Sequence, residues 1–204
     1  MMFEKFQSAT NTFTFESFFA YCETLVAEGR TSGPDQSDFL VQFTKLNLQR
    51  MKRWHKTVEL AETTHTALAQ TCPQQWFVIT EAWCGDSAQN LPVLARMAEA
   101  SSGKIDLKIV LRDEHPELIN AYLTNGGRSI PKLVSFDPHN KVELFNWGPR
   151  PAGANALFLN WKTAPNGRDF EAFEKELHTW YAHDKGEQVQ AEVSALLLQS
   201  SGVI

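Results

Sequence analysis

Trp76-Phe77-Val78-Ile79-Thr80-Glu81-Ala82-Trp83-Cys84-Gly85-Asp86-Ser87-Ala88-Gln89-Asn90 is the stretch that decides the fold of this chain. Its first four residues are bulky and partly β-branched, as in a buried strand. Beyond Gly85 the apolar spacing becomes helical, with Leu91, Leu94 (or Ala95) and Ala98 on one face. Cys84 therefore stands where a strand hands over to a helix. Free backbone N–H groups in a first helical turn stabilise an anion, and a thiolate is the anion that a cysteine supplies.

Downstream, Ile105, Leu107, Ile109 and Leu111 alternate with Asp106, Lys108 and Val110, which suits a second, parallel strand. His115-Pro116-Glu117 opens a helix with proline in its first turn, and Asn125-Gly126-Gly127 ends it. Leu133, Val134 and Phe136 make a third strand, Asp137-Pro138-His139-Asn140 a turn, and Val142 to Trp147 a fourth. Upstream, residues 14–28 form a helix with Phe15, Phe18, Phe19, Cys22 and Val26 on one face, so Cys22 reads as a small buried hydrophobe. A loop through Ser32-Gly33-Pro34-Asp35 leads into one long helical pattern, from about Ser37 or Asp38 to Gln70. Its stripe is Phe43, Leu46, Met51, Trp54, Val58 and Ala61. The cluster Lys45, Arg50, Lys52, Arg53, His55 and Lys56 reads as a solvated face. The last quarter carries three amphipathic segments, around residues 154–161, 170–180 and 189–197.

Trp83-Cys84-Gly85-Asp86-Ser87 resembles the Trp-Cys-Gly-Pro-Cys active site of thioredoxins. Pro92, eight residues after the cysteine, matches the proline that kinks the same helix in that family. Arg112-Asp113-Glu114-His115-Pro116-Glu117 also fits a thioredoxin second half. Arg128-Ser129-Ile130-Pro131 resembles the Arg-x-Ile-Pro segment whose proline is cis and faces the active cysteine, and Gly148 matches the glycine ending the last strand. The likeness covers residues 75–150 and is nearest to a bacterial thioredoxin-like group carrying Trp-Cys-Gly-Asp with a single active-site cysteine in a CxxS motif. It implies an α/β thioredoxin fold with a βαβ-ββα core and a mixed four-stranded sheet. A helical N-terminal extension (1–74) and C-terminal helices (151–204) would complete it. It further implies Cys84 and Ser87 at the catalytic positions, with Trp83, Gly85, Asp86, Arg128, Ile130 and Pro131 forming the substrate groove.

Composition bounds the alternatives. A net charge of −5 argues against a dedicated nucleic-acid binder, and no apolar run approaches a membrane span. Three cysteines at irregular spacing make neither a disulfide framework nor a zinc pattern, so a reducing cytoplasm is the default compartment.

The missing second thiol decides the chemistry. A dithiol protein releases its mixed disulfide with the second cysteine, and the Ser87 hydroxyl cannot do so. Ser87 can still donate to a Cys84 thiolate, whereas a carboxylate at Asp86 raises the thiol pKa. Thioredoxins have a buried Asp six residues before the cysteine; Val78 occupies that position here. Two expectations follow. One is a monothiol redox protein, Cys84 exchanging with glutathione or a similar small thiol, or with a protein disulfide. Arg128 and Lys132 would attract the anionic thiol, and Ile130 would offer backbone hydrogen bonds. The other is a redox-inactive binding module using the groove beside Cys84 and Pro131. The CxxS spacing is shared with glutaredoxins that hold an iron–sulfur cluster, but no matching glutathione-binding motif accompanies it, so neither metal nor bound cofactor is expected. Cys84 is expected to face solvent, which makes it oxidisable.

Cys72 is the one neighbour in sequence that offers a resolving thiol. A strand rising about 3.3 Å per residue separates it from Cys84, while a disulfide needs Cα atoms within about 7 Å. Mild oxidation is therefore expected to leave no Cys72–Cys84 disulfide; peptide mapping that recovers one would refute the placement of the strand.

Overall fold

The computed structural model describes residues 1–201. The quoted stretch forms β1 (Gln74–Thr80), which runs into α5 (Gly85–Ala100). Upstream lie α1 (Met2–Gln7), α2 (Phe15–Ala27), α3 (Asp38–Thr57) and α4 (Glu62–Gln70). Downstream come β2 (Ile105–Leu111), α6 (Pro116–Ile119), β3 (Lys132–Asp137) and β4 (Val142–Trp147). The chain then continues through α7 (Ala152–Thr163), α8 (Phe170–Asp184) and α9 (Glu187–Ser201). No helix among the described residues is long and apolar enough to cross a membrane.

The four strands make one mixed sheet in the order β2-β1-β3-β4. β1 pairs parallel with β2 and antiparallel with β3, and β4 closes the antiparallel edge. Strand side chains alternate between faces, and both faces of β1 are covered. Trp76 and Val78 enter a core built with α2, α3, α5 and α9. Phe77 and Ile79 enter a second core with α1, α6 and Tyr122. All seven residues of β1 are buried, and its centre, Trp76 to Ile79, is a continuous apolar run because both faces are covered.

Four features differ from the sequence reading. The long helical pattern breaks at Val58–Ala61 into α3 and α4, because Gln190 of α9 satisfies the freed backbone there. Its Oε1 accepts from the Ala61 N–H at 2.9 Å and its Nε2 donates to the Glu59 carbonyl at 3.2 Å. The helix opened by His115-Pro116-Glu117 is a single turn; Asn125, at φ 51°, starts a tight turn closed by hydrogen bonds between Thr124 and Gly127 rather than a helix end. The face of α3 is also shifted. Thr44, Asn47, Met51 and Trp54 are buried, whereas Leu46 is exposed and Phe43 half-buried. α1, which the sequence reading leaves unassigned, plugs the second core through Phe3 and Phe6.

Phe6 is fully buried and stacks on Phe77 at 4.8 Å between ring centroids. Truncating a buried phenylalanine removes its transfer energy and leaves a cavity. Phe6→Ala is expected to lower unfolding stability by about 3 kcal/mol, read from the midpoint of urea denaturation; a loss under about 1 kcal/mol would mean that α1 is a dispensable appendage.

Candidate functional site

Cys84 is the N-cap of α5, with extended backbone that turns into the helix. Facing it, the Ile130–Pro131 peptide is cis, and the Ile130 carbonyl accepts from Cys84 Sγ at 3.3 Å. Gly148, at φ 112°, ends β4; a Cβ there would collide with the Pro131 carbonyl oxygen, so only glycine lets β4 close on this loop. Trp83, Cys84, Gly85, Asp86, Arg128 and Ile130 all line one cavity of about 330 Å³.

The expectation of a solvent-facing Cys84 is overturned. The side chain is 7% exposed, because α3 and α8 wall the first turn of α5. Nearly the whole circumference of α5 is buried, rather than one face. α3 contributes Phe39, Leu40 and Phe43 to the cavity wall. α7 and α8 contribute Phe158, Phe170, Phe173 and Leu177. At the mouth Phe39 and Phe170 approach to 6.0 Å between centroids and stay 57% and 45% exposed.

A chain of polar side chains holds these walls together. Asn47 donates to the Ala82 carbonyl at 3.2 Å, and Arg50 donates to Asn47 Oδ1 at 2.9 Å. The Arg50 guanidinium also reaches Glu174 Oε1 of α8 at 3.3 Å, where His178 Nε2 lies 3.4 Å away. Trp54 Nε1 donates to Gln89 Oε1, which leaves the Gln89 amide N–H to donate to His178 Nδ1 at 2.8 Å. That order puts the imidazole proton on Nε2. Burial, helped by Arg50 and Arg150, pushes the His178 pKa down to about 3, so the ring is neutral at physiological pH. Gly85 makes room for it, since a Cβ there would sit 3.1 Å from His178 Nε2.

Asp86 is buried beneath this wall. Its carboxylate pairs with Arg150 at 2.6 Å and accepts from the Tyr181 hydroxyl at 2.8 Å. Asn90 donates to the same hydroxyl at 3.2 Å. Burial pushes the Asp86 pKa up, against the pull of Arg150 and Tyr181. The Cys84 thiol is pushed up to about 11, first by burial and then by Asp86, while Ser87 and Arg150 oppose the rise. Ser87 Oγ is buried with no hydrogen-bond partner.

Of the expected cations, Arg128 is exposed at the cavity rim, but Lys132 is buried and spends its ammonium on the Gly148 carbonyl at 2.9 Å. Arg50, read as part of a solvated face, is instead a half-buried anchor of the site, and Glu174, His178 and Tyr181 join it from α8 without a motif to mark them. Their only sequence signal is that Glu174, His178 and Tyr181 follow one another at i, i+4, i+7.

A thiol protonated to about pH 11 reacts through a small thiolate fraction. In a Cys22→Ser, Cys72→Ser background, alkylation of Cys84 is expected to rise about tenfold per pH unit from 7 to 9 with no plateau. Asp86→Asn removes the nearby carboxylate and frees Arg150, so it should speed alkylation several-fold at fixed pH. A plateau below pH 8, or slower reaction in the variant, would contradict these electrostatics.

Comparisons with known proteins bear on the fold and the family. Thioredoxin 1 of Nostoc sp. is 37% identical over 62 residues, a match that covers 30% of this chain and 55% of that protein. This chain thus spans about half the length of that relative. A solved Pseudomonas aeruginosa protein of unknown function superposes with a TM-score of 0.57 at 18% identity, covering 76% of this chain and 89% of that one. An HIV epitope-scaffold superposes at 0.54 with 17% identity, covering 86% and 96%. At these identities the two structures speak for the fold alone. Residues 33–164 match the thioredoxin family profile, so with its mixed four-stranded sheet and flanking helices the chain belongs to the thioredoxin family.

Proposed function

We propose that this protein is a thioredoxin-like monothiol, with Cys84 forming and exchanging mixed disulfides with a small thiol in a reducing cytoplasm. The observation that carries this reading is the placement of Cys84 Sγ at a cavity, on the N-terminus of α5, beside the buried and unpartnered hydroxyl of Ser87. In the resting thiol the S–H donates to the Ile130 carbonyl. On ionisation that bond is lost, and the Ser87 hydroxyl and backbone N–H become the donors that hold the thiolate.

The exchange balances without a second protein thiol. The Cys84 thiolate attacks one sulfur of a small disulfide; the Sγ–S bond forms, the S–S bond breaks, and the departing thiolate takes up a proton. A second molecule of small thiol then attacks the mixed disulfide. It leaves as part of a new small disulfide and returns Cys84 to the thiol. The enclosing helices favour a small thiol over a protein disulfide, because they leave Cys84 only 7% exposed in a cavity walled by Phe39 and Phe170.

The raised thiol pKa supports the second reading, a binding module whose ligand occupies the same cavity without reacting. Titration of the Cys22→Ser, Cys72→Ser protein with oxidised glutathione and with a neutral small disulfide, followed by intact mass, separates the two. One adduct at Cys84, forming faster as pH rises and removed by added thiol, is the expected result. No adduct by pH 9 would sink the monothiol reading and leave the binding module.

A further inference from the structure

We infer that the cavity at Cys84 takes a small amphipathic anion, an apolar or aromatic carboxylate, in preference to a polar peptide thiol such as glutathione. This inference rests on the reading of Cys84 as the site's reacting group and names the class of molecule that reaches it. The volume of about 330 Å³ lies at the lower end of small-molecule sites, and room for one ring-bearing molecule is what it offers. Its helix side is mostly apolar, formed by Phe43, Phe158, Phe173 and Leu177 behind the exposed edges of Phe39 and Phe170, with Glu174 and the neutral His178 as its polar members. A tripeptide carrying two carboxylates and an ammonium would bring an ammonium for which both lining acids are already paired, and would set part of its polar backbone against that wall, a costly desolvation.

The charges are distributed to receive one anion. Both acids that line the cavity are already paired: Asp86 with Arg150, and Glu174 with Arg50. The loop side keeps two further guanidiniums. Arg112 stands over the Trp83 ring at 4.6 Å from its centroid, and its partner Asp113 lies outside the cavity lining. Arg128 has no acidic partner among the described residues, and its one hydrogen bond runs from Nε to Asn120 Oδ1 at 2.8 Å. Its guanidinium therefore keeps donors free for a carboxylate at the rim. A carboxylate held there points its apolar body past Trp83 toward the aromatic wall, across Cys84. His178 stays neutral, so the helix wall adds no cation to the guanidiniums of the loop side.

The test uses molecules that cannot react with a thiol, so that binding and redox chemistry are read separately. Reduced full-length protein is titrated calorimetrically at pH 7 with 3-phenylpropionate, its neutral amide and S-methylglutathione. The carboxylate is expected to bind about tenfold more tightly than the amide, since charge-assisted hydrogen bonds outweigh neutral ones. S-methylglutathione should be the weakest of the three. Arg128→Gln, a change at an exposed position, should bring acid and amide within about threefold of each other without moving the melting temperature. Phe170→Ser should weaken both by a similar factor. Equal affinity for acid and amide, tighter binding of S-methylglutathione, or no binding of either phenylpropionyl compound would overturn the inference. Carboxylate binding without a Cys84 adduct in the disulfide titration would retain the ligand class and remove only the monothiol reading.

Discussion

Glu174 accepts from Arg50 of α3 and faces His178 one turn along α8, and on this junction the closure of the site depends. From it one branch runs through Asn47 to the backbone at Ala82, and another through Gln89 to Trp54. Together they tie α3, α5 and α8 to the segment between β1 and Cys84. Each member is buried or half-buried and each uses its partners, which is the condition under which a buried polar network specifies one arrangement.

Closure changes what the cysteine is. A helix N-terminus typically returns about 0.3–1 kcal/mol to an anion. Holding the thiol proton to about pH 11 works against the thiolate by about 3 kcal/mol relative to an exposed cysteine. Burial and Asp86 therefore win, and the resting group is a thiol donating to the Ile130 carbonyl. The Asp86–Arg150 pair shapes this balance from beneath, with Tyr181 and Asn90 completing it. The same helices that suppress the thiolate build an aromatic chamber in front of it. Reactivity and access are thus set by one structural feature, and a ligand that enters the chamber meets both.

Much of the core was legible because its signals are local. The run from Trp76 to Ile79, the alternation in β2, the Asp137-Pro138 turn and the Cys84 corner each declare themselves within a few residues, and the sheet follows them. The buried Cys22 was legible from helical spacing. The break between α3 and α4 was not, because its cause is Gln190, about 130 residues away in α9. Arg50 was read as solvated because five basic neighbours share its helix, while its acidic partner arrives only with α8.

What the sequence by itself determined is the strand-to-helix corner, its lone cysteine followed by Asp86 and Ser87, and the consequent lack of a resolving thiol. These rest on local propensity and on which atoms the side chains carry. Only the tertiary structure decided that Cys84 is covered and held as a thiol, that Lys132 is spent on Gly148, and that three guanidiniums and an aromatic wall surround one chamber. The reason is physical: burial and charge pairing are sums over groups far apart in the chain, and they take a value only when α3, α7 and α8 have packed around the corner.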